Sequence, residues 1–418
     1  MKTISVASSR SLENEQQPGW LDRLARRIVR GRLAAIRQGE IKIIENGQEQ
    51  TFGRRADEFP ESAVIKVHSP TFYSDIAFGG SVGSGEAYIQ GRWECSQLES
   101  LVKILLRNRG VLDELDSGTA LLKRPLQKLF HWMNKNTRRG SRRNIAAHYD
   151  LGNDFYSLWL DSQMMYSSAH FASQSTSLED ASVAKLDRIC QKLNLAESDE
   201  VVEIGTGWGG FAIHAATQYG CHVTTTTISE QQYEYARAKV EALGLADRIT
   251  LLKNDYRDIE GKYDKLVSIE MIEAVGHEYL DTFFSKCASL LKPDGEMLLQ
   301  AITIADQRYE RAKKTVDFIK RYVFPGGFLP SLTAMTSSLT RVTTLKTVAV
   351  EDIGPHYALT LRRWRERFFH KLNEVRNQGF SEEFIRLWEF YLCYCEGAFA
   401  ERAIGTVQLH AIGTQARP

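Results

Sequence analysis

The stretch VVEIGTGWGG, residues 201–210, decides the fold. A short apolar run breaks off at Gly205, and a helical pattern, GGFAIHAATQYG, follows to Gly220. Strand, glycine turn and helix are the reading. The glycines satisfy two cofactor templates. Gly205, Gly207 and Gly210 fit G-x-G-x-x-G, the dinucleotide fingerprint. Glu203 with Gly205, Gly207 and Gly209 fits the looser E-x-G-x-G-x-G of S-adenosylmethionine (SAM) enzymes.

Outward from this turn, strands and helices alternate. SLEDASVAKLDRICQKLNL reads as a helix capped by Ser177. HVTTTTIS is a strand and EQQYEYARAKVEALGL a helix, and RITLLKND, DKLVSIE and GEMLLQAITI are further strands. This predicts an α/β fold with a doubly wound parallel sheet. Two long helical stretches, from residue 357 to about 402, precede one last strand, TVQLHAIG. A final strand after a helical insertion is the class I, Rossmann-like methyltransferase arrangement.

In such a sheet the ligand lies at the carboxyl ends of the strands. A pyrophosphate wants backbone donors at the helix N-terminus. SAM carries a sulfonium and an ammonium, so Glu203 suits SAM better. Glu230 lies where a dinucleotide enzyme places its ribose acid, so it does not separate the two. Asp255, at a strand end in KNDYRD, can reach an adenine amino group. LLKPDGEMLLQ reads as helix end, Pro-Asp-Gly turn and strand, a sequence pattern of SAM methyltransferases. The ordered set favours SAM.

Composition sets wider bounds. The 418 residues suffice for two or three domains, and 43% hydrophobic with 25% charged residues is ordinary for a soluble globular protein. The formal net charge of +1 points to no nucleic acid partner. Six scattered cysteines form no C-x-x-C pair, so no metal site is expected, and reduced thiols suggest a cytoplasmic protein. The N-terminus lacks a signal peptide's apolar core, and no run of 18 apolar residues can span a bilayer. Peripheral membrane contact stays open.

Four segments follow. Residues 1–17 read as a flexible arm, and 18–116 as a smaller mixed α/β domain. It opens with a helix over 20–37 whose Trp20, Leu21, Leu24 and Ile28 share one face, read as packed on the domain, with contact to anionic lipid as the alternative. Asn46-Gly47 marks a hairpin, and the glycines of FGGSVGSGEAYIQGRWE read as tight turns. Residues 117–149 carry eight Lys and Arg, no acid, and several large apolar residues, which fits an anionic surface. Residues 150–418 form the catalytic domain.

AAHYDLGNDFYSLWLDSQMMYSSAHF, EVVEIGTGWGGFAIHAA, TTISEQQ, NDYRDI, EMIEAVGHEYLDTFF and RYVFPGGFLPS occur in this order. Together they resemble the cyclopropane-fatty-acyl-phospholipid synthases and the related mycolic acid methyltransferases. The N-terminal GGSVGSGEAYIQGRWE favours the phospholipid branch. The resemblance implies methyl transfer from SAM to a cis double bond of a phospholipid acyl chain, then proton loss to bicarbonate and ring closure. It implies unsaturated membrane phospholipids and an anionic membrane surface as partners, allows a homodimer, and places the protein on the inner face of the membrane.

Site residues follow from the same resemblance. Tyr166 and Ser167 match the pair that closes over SAM, and Gly205, Thr206 and Gly207 the glycine loop. Thr227, Ile228, Ser229, Gln231 and Gln232 match the ribose side, and Asp255 and Tyr256 the adenine side. Glu273, Tyr357 and the main chain of Ile302 match the bicarbonate site. Two positions depart: Ser168 stands where the family has cysteine, and Gln300 where it has histidine. Glutamine binds an anion but carries no proton at neutral pH. A carbocation intermediate calls for electron-rich rings, and Tyr166, Phe171, Tyr309, Tyr322, Phe324 and Phe328 are the candidates. His277, four residues from Glu273, reads as structural.

Overall fold

The structure, a computed structural model, describes residues 19–110 and 151–416. The arm over 1–17 and the basic segment over 117–149 lie outside the described residues.

The first sheet begins with β1 (Gly39–Glu45) and β2 (Gln48–Arg54), an antiparallel hairpin. Asn46 and Gly47 turn it with φ of 50° and 75°, the left-handed pair that matches strand twist. β3 (Ser62–Val67) runs parallel to β1, and β4 (Trp93–Cys95) closes the order β2-β1-β3-β4. Three helices join it: α1 (Trp20–Leu33), α2 (Phe72–Ile89) and α3 (Leu98–Arg107).

Two expectations fail here. The glycine-rich stretch forms α2, broken by one kink at Gly80 with φ 57°, and is not a set of turns. Its glycines permit close approach. A Cβ on Gly83 would strike the Asp75 carbonyl, and one on Gly85 would strike the Phe318 ring. In α1 the buried face is Ala25, Val29 and Leu33. Trp20, Leu21 and Leu24 stay 67%, 46% and 43% exposed.

The second sheet holds seven strands: β5 (Glu200–Ile204), β6 (His222–Thr226), β7 (Ile249–Leu252), β8 (Tyr263–Ile269), β9 (Leu291–Ile304), β10 (Lys346–Asp352) and β11 (Ile404–Ile412). Their order is β10-β11-β9-β8-β5-β6-β7, with β11 antiparallel to both neighbours. β10 is unforeseen; it is almost wholly exposed, and its apolar residues, Val348 to Val350, are too few and do not alternate. The Pro-Asp-Gly turn loops out of the ladder, since Tyr263 pairs with Leu291 and Lys265 with Glu296. Strand order reverses between β5 and β8, which fixes the crevice.

Helices cover both faces. α4 (Asn153–Ser157) and α5 (Leu178–Lys192) precede the sheet, and α6 (Gly210–Tyr219), α7 (Glu230–Ala242) and α8 (Leu280–Leu290) connect its strands. After β9 come α9 (Asp306–Lys314) and α10 (Leu332–Val342). Before β11 lie α11 (Gly354–His370), α12 (Leu372–Asn377) and α13 (Glu382–Ala400), three helices in place of two. α13 ties the two sheets together. Its Arg386 donates to the carbonyls of Tyr88 and Trp93, and its Phe390 packs 5.6 Å from Tyr88.

Candidate active site

The loop after β5 is built for close approach. Gly205, Gly207 and Gly209 have φ of 105°, 52° and 88°, which side chains rarely adopt. A Cβ on Gly207 would meet nothing within 4 Å, so the space above it is open. Gly205 N–H and Thr206 N–H donate to the Thr226 carbonyl, which pins the loop to β6. Behind it, Thr206 and Thr225 hydroxyls lie 2.7 Å apart, and Thr225 donates to Glu203 at 2.7 Å. Glu203 is buried and engaged by Thr225, so any influence on a cationic ligand runs through these threonines. This corrects the expectation that it faces the ligand.

The segment after β6 turns at Thr227, half-buried Ile228 and Ser229, whose hydroxyl caps α7 by accepting from Gln232 N–H. Thr227 Oγ1 also donates to Gln232 at 3.0 Å. After β7, Asp255 accepts from Arg257 through both carboxylate oxygens at 2.7 Å, so an adenine amino group would share oxygens already in use. Among the buried polar atoms without a hydrogen-bond partner in the described residues are three near the glycine loop's end of the sheet: Gln231 Oε1, Tyr256 Oη and Glu273 Oε2. They follow the carboxyl ends of β6, β7 and β8. Buried orphans are costly, and their position fits a polar ligand such as SAM.

The acids after β8 are arranged differently from expectation. Glu270 is the hub. Its Oε1 accepts from Ser168 N–H at 2.9 Å and the Gln300 amide at 2.8 Å, and its Oε2 accepts from the Tyr357 hydroxyl at 2.7 Å. Gln408 donates to Gln300 Oε1 at 3.0 Å and so aims the Gln300 amide at Glu270. Glu270 sits at φ 50°, a left-handed backbone that destabilises by about 1–2 kcal/mol for a residue with a Cβ. Glu273 stands aside, with Oε1 accepting from Ile302 N–H at 2.5 Å.

Burial raises the pKa of both acids. For Glu273, burial and then the Glu270 charge push it to about 8. Glu270 is held lower by its three donors and by Lys185. Lys185 is fully buried; its Nζ donates to Ser167 at 2.9 Å, and burial pulls its pKa down to about 8. A pKa of about 8 leaves Glu273 protonated at neutral pH, while the three hydrogen bonds to Glu270 and the nearby Lys185 favour the charged form of Glu270.

Bicarbonate does not fit this donor set. Ser168 N–H, the Gln300 amide, the Tyr357 hydroxyl and Ile302 N–H are each taken by a protein carboxyl oxygen. A further anion would also meet two acids.

An aromatic wall adjoins the acids. Tyr166 bonds the Tyr391 hydroxyl at 2.8 Å and packs against Trp159, Phe324 and Trp364. Tyr357 stacks on Phe399 at 4.4 Å. Phe171 is buried in the same core cluster. The other three rings lie elsewhere: Tyr309 under Lys313, Tyr322 on Glu86, and Phe328 beside His277. Glu270, Lys185, Tyr391 and Trp364 are thus site residues that sequence reasoning missed. The signals were an acid ending the apolar strand LVSIE and one lysine on the apolar face of α5.

The profile of the family described as mycolic acid cyclopropane synthetase matches residues 136–409. The chain belongs to that family. Among the cyclopropane synthetase family's relatives, the tuberculostearic acid methyltransferase of Mycobacterium tuberculosis is 37% identical over 81% of each chain. The cyclopropane-fatty-acyl-phospholipid synthase of Escherichia coli K12 is 37% identical over 82% of this chain and 86% of its own. A mycolic acid cyclopropane synthase crystallised with S-adenosylhomocysteine (SAH) superposes with a TM-score of 0.61 at 30% identity, over 65% of this chain and 98% of that one. As a member of the family, the protein is a SAM-dependent methyltransferase with the class I fold. It methylates or cyclopropanates lipid acyl chains. Among the described residues no helix is long and apolar enough to cross a membrane.

Proposed function

We propose that the protein closes a cyclopropane ring across the cis double bond of an unsaturated acyl chain in a membrane phospholipid. The observation that carries this reading is a half-buried acid pair set beside an aromatic wall at the switch point of the sheet. SAM, when bound, supplies the methyl group. The glycine loop leaves room for it, and Gln231, Tyr256 and the turn at Thr227–Ser229 offer it polar partners. Tyr166 and Ser167 belong to the loop held over the sheet by Lys185.

An alkene is a weak nucleophile, so alignment must supply much of the rate. Methylation leaves a carbocation on the chain. Rings of Tyr166, Tyr357 and Trp364 face such a charge favourably. Proton loss then needs a base, and neither Ser168 nor Gln300 is one at neutral pH. Bicarbonate is not carried into this reading, because Glu270 engages its donors.

The lipid would be reached peripherally, from the cytoplasmic side. Exposed Trp20, Leu21 and Leu24 on an arginine-rich helix support contact with an anionic surface. In this reading residues 18–116 form the lipid-side domain and 150–418 the catalytic one. A second product is an acyl chain with a methylene branch, since one relative is a tuberculostearic acid methyltransferase.

Mass spectrometry of unsaturated phospholipid vesicles incubated with the protein and SAM tests this. A gain of about 14 mass units per modified chain is expected for a ring or a methylene branch. Ozone cleaves the methylene branch and spares the ring. Lipids of unchanged mass while SAM is consumed would overturn the proposal.

A further inference from the structure

We propose that Glu270 is the base of the reaction: the protein carries its own carboxylate where the reaction needs an anion to accept the proton. This rests on the acyl-chain alkylation proposed above and names the residue that completes it.

Four observations converge. The donors expected to hold a free anion, Ser168 N–H, the Gln300 amide and the Tyr357 hydroxyl, all point at the Glu270 carboxylate. Gln408 fixes the Gln300 amide from behind. The backbone at Glu270 is left-handed, where glycine would be the unstrained residue. Strain of this kind persists where surrounding structure over-determines it, and it collects at functional sites. Glu273, the other acid, lies at the Ile302 main chain and is the member of the pair that holds the proton.

The carboxylate is also free at the right atom. Oε1 accepts two hydrogen bonds, which fill its lone pairs. Oε2 accepts from Tyr357 alone and keeps one lone pair open among the described residues. Once the methyl group is on the acyl chain, a C–H bond of that methyl breaks. Its electron pair forms the second C–C bond of the ring and quenches the cation. The proton goes to Glu270 Oε2, and Glu270 becomes a neutral carboxylic acid. No oxidant or further reactant is needed.

The test uses the whole protein with unsaturated phospholipid vesicles and SAM. Wild-type turnover should be the same in bicarbonate-free buffer and after bicarbonate is added. Glu270→Gln should bind SAM with unchanged affinity in calorimetry and lose turnover by roughly 10²-fold or more. Glu270→Gly should fold, because it relieves the left-handed strain, and should open a hole. Formate or bicarbonate should restore part of its turnover, with saturation at millimolar concentrations. With CD₃-labelled SAM, Glu270→Asp should show a larger isotope effect than wild type, which a merely structural role would not produce.

Retained turnover in Glu270→Gln would overturn the proposal. So would wild-type turnover that falls when bicarbonate is removed, which would restore a free anion as the base. Failure of the underlying reading looks different: wild-type protein would bind SAM and leave every lipid mass unchanged.

Discussion

Glu273→Gln separates the two acids. Glu273 is half-buried; its Oε1 accepts from Ile302 N–H, and its buried Oε2 has no partner among the described residues. Burial and the neighbouring Glu270 charge raise its pKa from 4.5 to about 8. Between those values the native state holds a proton that the unfolded chain has released. Stability contributed by this group is therefore complete below pH 4.5 and is lost as pH rises through about 8. The full shift corresponds to about 5 kcal/mol. Because part of that shift comes from coupling to the Glu270 charge, the part removed by the substitution is smaller, about 2–3 kcal/mol.

Glutamine keeps the oxygen that Ile302 N–H needs and is never charged. The variant should match wild type near pH 5 and be more stable at pH 9. Thermal melts at a series of pH values read this, with a difference in Tm of about 5 °C at the alkaline end. Turnover near neutrality should fall less than about tenfold, because wild-type Glu273 is already neutral and the three donors to Glu270 are untouched. Parallel melting curves from pH 5 to 9, together with a loss of about 10²-fold in turnover, would refute the assignment of the proton to Glu273.

Three further outcomes are expected. Lys185→Met removes the buried cation that faces Glu270, Asp161 and Glu203; it should destabilise by about 3–5 kcal/mol, read by urea unfolding, and shift the acid limb of the pH–turnover profile upward. Gly207→Val places a side chain in open space at φ 52°, so calorimetry should show loss of SAM binding. Leu21→Glu with Leu24→Glu should lower sedimentation with anionic vesicles several-fold while turnover on detergent-dispersed lipid is kept, because both side chains are exposed and neither packs in the core.

The fold was legible because its signals are local. The parallel strands are short runs rich in apolar or β-branched residues, alternating with helices, and β11 after a long helical stretch completes the pattern. β10 was not, since an exposed edge strand needs no apolar alternation. The α2 glycines misled for a related reason. Glycine writes the same letter for a turn and for close helix packing, and only the position of Phe318, more than 200 residues away, tells them apart.

The site divides the same way. The glycine loop is a backbone device, and its glycines are visible in the text. Which acid does the chemistry is a matter of direction. EMIEAVG contains both Glu270 and Glu273, three residues apart. Nothing in that string says that the first has left-handed backbone, or that Ser168, Gln300 and Tyr357 meet on it from three distant segments. The departures at Ser168 and Gln300 looked like losses when weighed against an external anion. Beside Glu270 they become a matched set. A backbone N–H and a neutral amide hold a carboxylate while leaving its charge intact, whereas a histidinium beside it would form an ion pair and depress its basicity. On this argument Gln300→His, which restores the family's residue, should lower turnover rather than raise it; a gain in turnover on unsaturated vesicles would show that Glu270 is not the base.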